Sequence, residues 1–153
     1  MFDMYRTILK LETEHHTQLT DITDLVLEEI KKSGKENGQV LVQAMHTTTG
    51  IMVNEYEERL LKDLEYYLNE VAPSHKDYLH NDVSKRNCPE DEPPNAHSHI
   101  KAALYSRNSE TISLYEGKLD LGKYQRIIFA EFDGPCPRPL KSKRHVAINI
   151  LGE

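Results

Sequence analysis

Eight histidines occur in 153 residues, and three of them, His46, His80 and His99, each stand where an ordered element is expected to begin or end. Neutral imidazole is the commonest nitrogen ligand for zinc-like ions, and three such ligands leave an open coordination position. A set of imidazoles also suits an anion, through its N–H donors. His46, His80 and His99 are therefore the expected ligands of a divalent metal, zinc-like or Mg²⁺, or of an anion. Their spacing matches no compact motif such as HExxH, and surface or helix-capping histidines are the plain alternative. His97 and His99 lie two apart on an expected helix and cannot face the same way. His15, His16, His75 and His145 read as exposed.

Residues 46–55, HTTTGIMVNE, hold the densest run of hydrogen-bonding side chains, at the point where an apolar strand pattern stops and a helical one begins. Such groups are expensive to bury unpaired. A polar ligand is one use for them; the other is a helix start, with Asn54 as N-cap and Glu57 three residues on. Glu55, Asp82 and Glu131 are the carboxylates expected near the histidines for acid–base work. Glu131 lies in the apolar run 127–132, where an arginine partner is expected. Cys88 and Cys136 lack CxxC spacing and read as reduced thiols with no strong claim as nucleophiles. Neither GxxxxGK[ST] nor GxGxxG occurs, so no glycine loop for phosphate is expected.

The elements that must carry these groups follow from periodicity. Residues 4–14 and 39–45 read as strands, and residues 111–116, 119–121, 125–132 and 144–151 as a strand-rich last third. A first helix starts at Asp21 or Thr23, buries Ile22, Leu25, Val26 and Ile30, and ends at Gly34. A second runs over residues 57–72 to Pro73, and a short third starts at Asn95. Residues 74–95 form an aperiodic, proline-containing loop of a length that is more often functional than idle. The expectation is one α+β domain over residues 1–153, mainly an antiparallel β-sandwich with two longer helices and one short helix.

The formal net charge of −6 argues against nucleic acid as a bulk electrostatic partner. No apolar run approaches the ~18 residues of a membrane span, and no secretory signal is visible, so no membrane is expected and a cytoplasmic location is the default.

Several segments together resemble the YjbQ family of small uncharacterised proteins: His46-Thr47-Thr48-Thr49 with Asn54-Glu55, Tyr78-Leu79-His80-Asn81-Asp82, Ser98-His99-Ile100-Lys101, and the run 109–125 with Ser109, Ile112, Leu114, Gly117, Gly122, Gln125 and then Ile127 in register. Two departures stand out. The family's usual Gly-Thr-Trp-Gln is Gly122-Lys123-Tyr124-Gln125 here, and its usual arginine after Asp-Gly-Pro is Cys136, with Arg138 as the nearest substitute. The resemblance implies an α+β fold containing a β-sandwich, a homotrimer, and a polar pocket near His46, His80 and His99. Some members carry the name secondary thiamine-phosphate synthase, for joining a pyrimidine diphosphate to a thiazole phosphate.

The expected function is thus an enzyme acting on a small phosphorylated or carboxylated molecule. His46, His80 and His99 would bind a metal or anion, Glu55 or Asp82 would act as base or support, and Thr47, Thr48, Asn54, Asn95, Gln125 and Arg126 would position the ligand. The alternative is a trimer that binds a metal or small ligand without turnover.

Overall fold

The computed structural model describes residues 3–137 and 143–153. Its elements run β1 (Asp3–Leu11), β2 (Gln18–Asp21), α1 (Thr23–Ser33), β3 (Gly38–Ala44), β4 (Thr49–Glu55), α2 (Glu58–Val71), α3 (Ala96–Tyr105), β5 (Ser109–Tyr115), β6 (Lys118–Leu119), β7 (Gln125–Glu131) and β8 (Arg144–Gly152). The strands form two antiparallel sheets, one ordered β1-β8-β3-β5-β6 and one ordered β2-β7-β4. This is the expected α+β sandwich.

Alternation along the strands decides what lies between the sheets. Val40 and Val42 of β3, Ile112 and Leu114 of β5, and Val146, Ile148 and Ile150 of β8 meet Ile51, Ile127 and Phe129 from the smaller sheet. Ile22, Val26 and Ile30 of the α1 segment join the same cluster. Burying each such side chain contributes about 1.5–3 kcal/mol. On its other face the smaller sheet presents Ala130, followed by Phe132 just past the strand, to Leu68 of α2 and Ala102 of α3. The sheet is therefore covered on both sides, which is why β7 carries a continuous apolar run rather than alternation.

Two strands were hidden in the sequence pattern. β2 is only four residues long, and all four are half-buried. β4 matters more, because it replaces the expected strand-to-helix seam. Residues 49–55 pair along their whole length with β7, from Thr49 opposite Glu131 to Glu55 opposite Gln125. Ile51 and Val53 supply the β-branched side chains on one face. Asn54 is not the helix cap: its Oδ1 accepts from the Glu55 N–H at 2.8 Å. Glu57 caps α2 instead, its carboxylate accepting from the N–H groups of Arg59 and Leu60, each at 2.9 Å. At roughly 3.3 Å per residue, β4 carries Asn54 and Glu55 about 20 Å from the start of the strand.

The long loop after α2 contains two short 3₁₀ turns, Leu79–Asn81 and Val83–Lys85. Among the described residues, no helix is long and apolar enough to cross a membrane.

Candidate functional site

The turn between β3 and β4 fixes His46. Thr49 donates to the His46 carbonyl through both its backbone N–H, at 3.2 Å, and its hydroxyl, at 3.1 Å. The Thr48 N–H donates to His46 Nδ1 at 3.2 Å, with the Thr48 hydroxyl 3.0 Å from the same nitrogen. A backbone amide can only donate, so Nδ1 is the acceptor and the neutral ring carries its proton on Nε2. The ring's partial burial, and then the nearby Arg144 guanidinium, hold its pKa below the usual histidine value, although the residue keeps an exposed surface. Protonating Nδ1 would set two donors against each other, so geometry and electrostatics agree on a neutral ring.

Helix α3 brings the second histidine. Asn81, in the first 3₁₀ turn, accepts from the Ala96 N–H at 3.0 Å, and the Asn95 carbonyl accepts from the N–H groups of Ser98 and His99 at 2.9 and 3.3 Å. The Ser98 hydroxyl donates to the Phe132 carbonyl at 2.5 Å and ties the helix to the end of β7. His80 meets His99 edge to face, with ring centroids 4.7 Å apart. Burial, and then the proximity of His80, push the His99 pKa down.

The third wall is the end of β7 and the start of β8. Glu131, 0% exposed, receives Arg144 through Nε at 2.6 Å and Nη2 at 3.1 Å, the Asp133 N–H at 2.9 Å and the Thr13 hydroxyl at 3.3 Å. Arg144 is thus the arginine expected for Glu131. Asn95 Nδ2 donates to Asp133 Oδ2 at 3.0 Å, which fixes the amide and leaves its Oδ1 buried without a partner.

These walls enclose a cavity of about 110 Å³ lined by His46, Thr47, Asn95 and His99, with Glu92, Asp133, Pro135, Cys136 and Arg144. Among the described residues no three His, Cys, Asp or Glu side chains are grouped as a metal ion would require.

The low pKa values of His46, His97 and His99 make stability pH-dependent. For each, burial is the largest cause. A buried neutral histidine contributes stability that is complete above its unfolded pKa, about 6.5, and is lost as pH falls through the folded value. The expected result is a melting temperature that is flat above about pH 7 and falls as the pH drops below about 6.5. A melting temperature that rises over that range would contradict it.

The family described as UPF0047 protein YjbQ-like matches this sequence over residues 7–153. The chain belongs to the YjbQ family. A UPF0047 protein of Methanothermobacter thermautotrophicus is 37% identical over 151 residues, covering 99% of this chain and 94% of that one. The UPF0047 protein YugU of Bacillus subtilis is 30% identical over 132 residues, 85% of this chain and 91% of its own length. A crystal structure from Sulfolobus solfataricus P2, described as a YbjQ-like protein of unknown function, superposes with a TM-score of 0.86 at 31% identity, covering both chains completely. A YjbQ/UPF0047 protein of Clostridium acetobutylicum superposes with a TM-score of 0.76 at 36% identity, over 97% of this chain and 98% of that one.

Within this YjbQ-family chain the residues singled out in the sequence separate into two groups. His46, Thr47, Asn95 and His99 line the pocket, Thr48 holds His46, and His80 packs on His99. Asn54, Glu55, Gln125 and Arg126 lie together at the opposite end of the β4–β7 pair. There Arg126 is engaged by Asp21 at 2.7 Å and Asp24 at 3.2 Å, and Gln125 accepts from the Gly122 N–H at 2.7 Å. Asp82 is exposed and paired with Ser84 and Lys85. Arg138, the expected stand-in for the family's arginine, lies outside the described residues. Sequence reasoning missed Glu92, Asp133 and Arg144 as pocket residues.

Proposed function

We propose that this YjbQ-family chain is an enzyme whose pocket holds the phosphate or carboxylate head of a small metabolite. His46 donates its Nε2–H to the head-group oxygens, and His99 moves a proton. The observation that carries this reading is the Thr48 N–H on His46 Nδ1. A zinc-like ion on His46 would need a lone pair on Nε2 and therefore a proton on Nδ1, where the backbone donor already sits. Metal-ligating histidines turn their second nitrogen, as an N–H, towards an acceptor. The arrangement thus fits an anion and does not fit a three-histidine metal centre.

The anion's charge is met by a proton taken up on His99, whose low pKa an adjacent phosphate would raise. Asn95 Oδ1, Glu92 and Asp133 supply acceptors, so the same ligand carries hydroxyl or N–H donors beside its anionic group. Asp133, rather than Glu55 or Asp82, is the carboxylate placed to assist His99. Thiamine-phosphate formation falls within this class, since both of its substrates present phosphate groups. One observation favours binding without turnover: neither carboxylate expected as a base lines the pocket.

Calorimetric titration with inorganic phosphate tests the reading. Binding at pH 7.5 is expected to take up protons, seen as a buffer-dependent heat, and His99→Ala is expected to abolish the uptake. No phosphate binding between pH 6 and 8 would overturn it.

Assembly as a homotrimer is the second part of the proposal. It is supported by α2, where only Leu68 is buried while Tyr66, Tyr67 and Val71 are exposed. Light scattering should give the mass of three chains, and a monomer would contradict it.

A further inference from the structure

Beside the pocket runs an open groove of about 470 Å³ that shares the His46–Thr47 turn with it as a common wall. Small side chains make the groove: Ala102 and Ala103 of α3, and Ser106 just beyond it, whose hydroxyl turns back to the Ala102 carbonyl at 3.1 Å. Arg107 also lines it, and its backbone is pinned to β4 in both directions. The Arg107 N–H donates to the Ile51 carbonyl at 3.0 Å, and the Ile51 N–H donates to the Arg107 carbonyl at 2.6 Å. The base of the side chain is therefore fixed, while the side chain as a whole is 78% exposed and its Nε forms an ion pair with the Glu110 carboxylate at 3.6 Å. The pair lacks a hydrogen bond and, at this exposure, contributes little, so the guanidinium can turn to a ligand.

The pocket has room for a head group, whereas metabolite sites typically run to ~300–1,000 Å³. Resting on the oxyanion reading of the pocket, we infer that the groove takes the remainder of the ligand: a flat, uncharged body over Ala102 and Ala103, and a second acidic group at Arg107. The ligand class is an elongated molecule with an acid at each end. The alanines leave space for the body, and a large side chain at residue 103 would take up part of that space. The guanidinium offers a planar fork for a carboxylate or phosphate, which a lysine would meet only as a point charge.

Three probes separate the parts: inorganic phosphate for the pocket alone, phenyl phosphate for pocket and body, and 4-carboxyphenyl phosphate for the whole. Phenyl phosphate is expected to bind the unaltered chain about tenfold or more tighter than phosphate, from burial of the ring. The carboxylated probe is expected to gain about threefold or more beyond that, from the charged contact. Ala103→Trp is expected to remove both gains while leaving phosphate affinity unchanged, which also shows that the variant is folded. Arg107→Ala is expected to remove only the second. Equal affinity for phosphate and phenyl phosphate, or a phenyl gain that survives Ala103→Trp, would overturn the inference with the pocket reading intact. Failure of all three probes to bind would overturn the pocket reading and the inference together.

Discussion

Replacing Arg144 by methionine is expected to cost about 3–5 kcal/mol of unfolding free energy, the usual penalty for stranding one member of a buried ion pair. Glu131 is 0% exposed, and Arg144 supplies two of its hydrogen bonds. Among the described residues, the two donors that would remain, the Asp133 N–H and the more distant Thr13 hydroxyl, are neutral and do not balance a full buried charge. The pair also closes the end of the sandwich where β7 leaves for the pocket turn, so its loss loosens Asp133 as well. Urea denaturation of Arg144→Met measures the penalty. Adding Glu131→Leu should recover most of it, because an apolar pair of similar volume has no charge to solvate. A single-variant loss below about 1 kcal/mol would show that the carboxylate finds another partner.

His46→Ala is expected to weaken phosphate binding about 10- to 100-fold, the worth of one hydrogen bond to a charged group. Its effect on stability should be small, since the ring is exposed in part and its bonds are confined to Thr48. His46→Gln should restore a share of the affinity, because the side-chain amide can donate where Nε2–H did. Equal loss in the two variants, or no loss in either, would show that donation from this position is not what holds the anion.

Strands with a full period in their side chains were legible. β3, β7 and β8 carry runs of Val, Ile and Phe, and their burial in the sandwich follows from those types alone. β4 was not legible, for three reasons. Thr47 to Gly50 break its apolar pattern, Ile51 and Val53 give only two inward positions, and Asn54 with Glu57 imitates a capping box. That last signal was partly real, since Glu57 does cap α2, but the cap sits three residues later than Asn54.

The site divides along the same line. His46, Thr47, Asn95 and His99 could be singled out because each is a polar group at the edge of an element. Asp133 lies in an Asp-Gly-Pro turn that its own backbone chemistry explains, Arg144 sits in a run of basic residues that reads as surface, and Glu92 belongs to an aperiodic loop. Only the tertiary closure of β7 onto β8 and α3 brings them together. Gln125 and Arg126 stand in a segment that resembles the family, yet antiparallel pairing sends the start of β7 to the far end of β4. One-dimensional proximity to an apolar strand says nothing about which end of it faces the pocket.

His46 is held through Nδ1 as a neutral donor. Long-range proton–nitrogen correlation on the imidazoles, assigned by comparison with His46→Gln, reads the tautomer directly. The expected spectrum has His46 protonated on Nε2 at pH 7.5, with that nitrogen shifting on addition of phosphate and Nδ1 remaining unprotonated. A proton on Nδ1, together with an Nε2 that answers to Zn²⁺ and not to phosphate, would contradict the account.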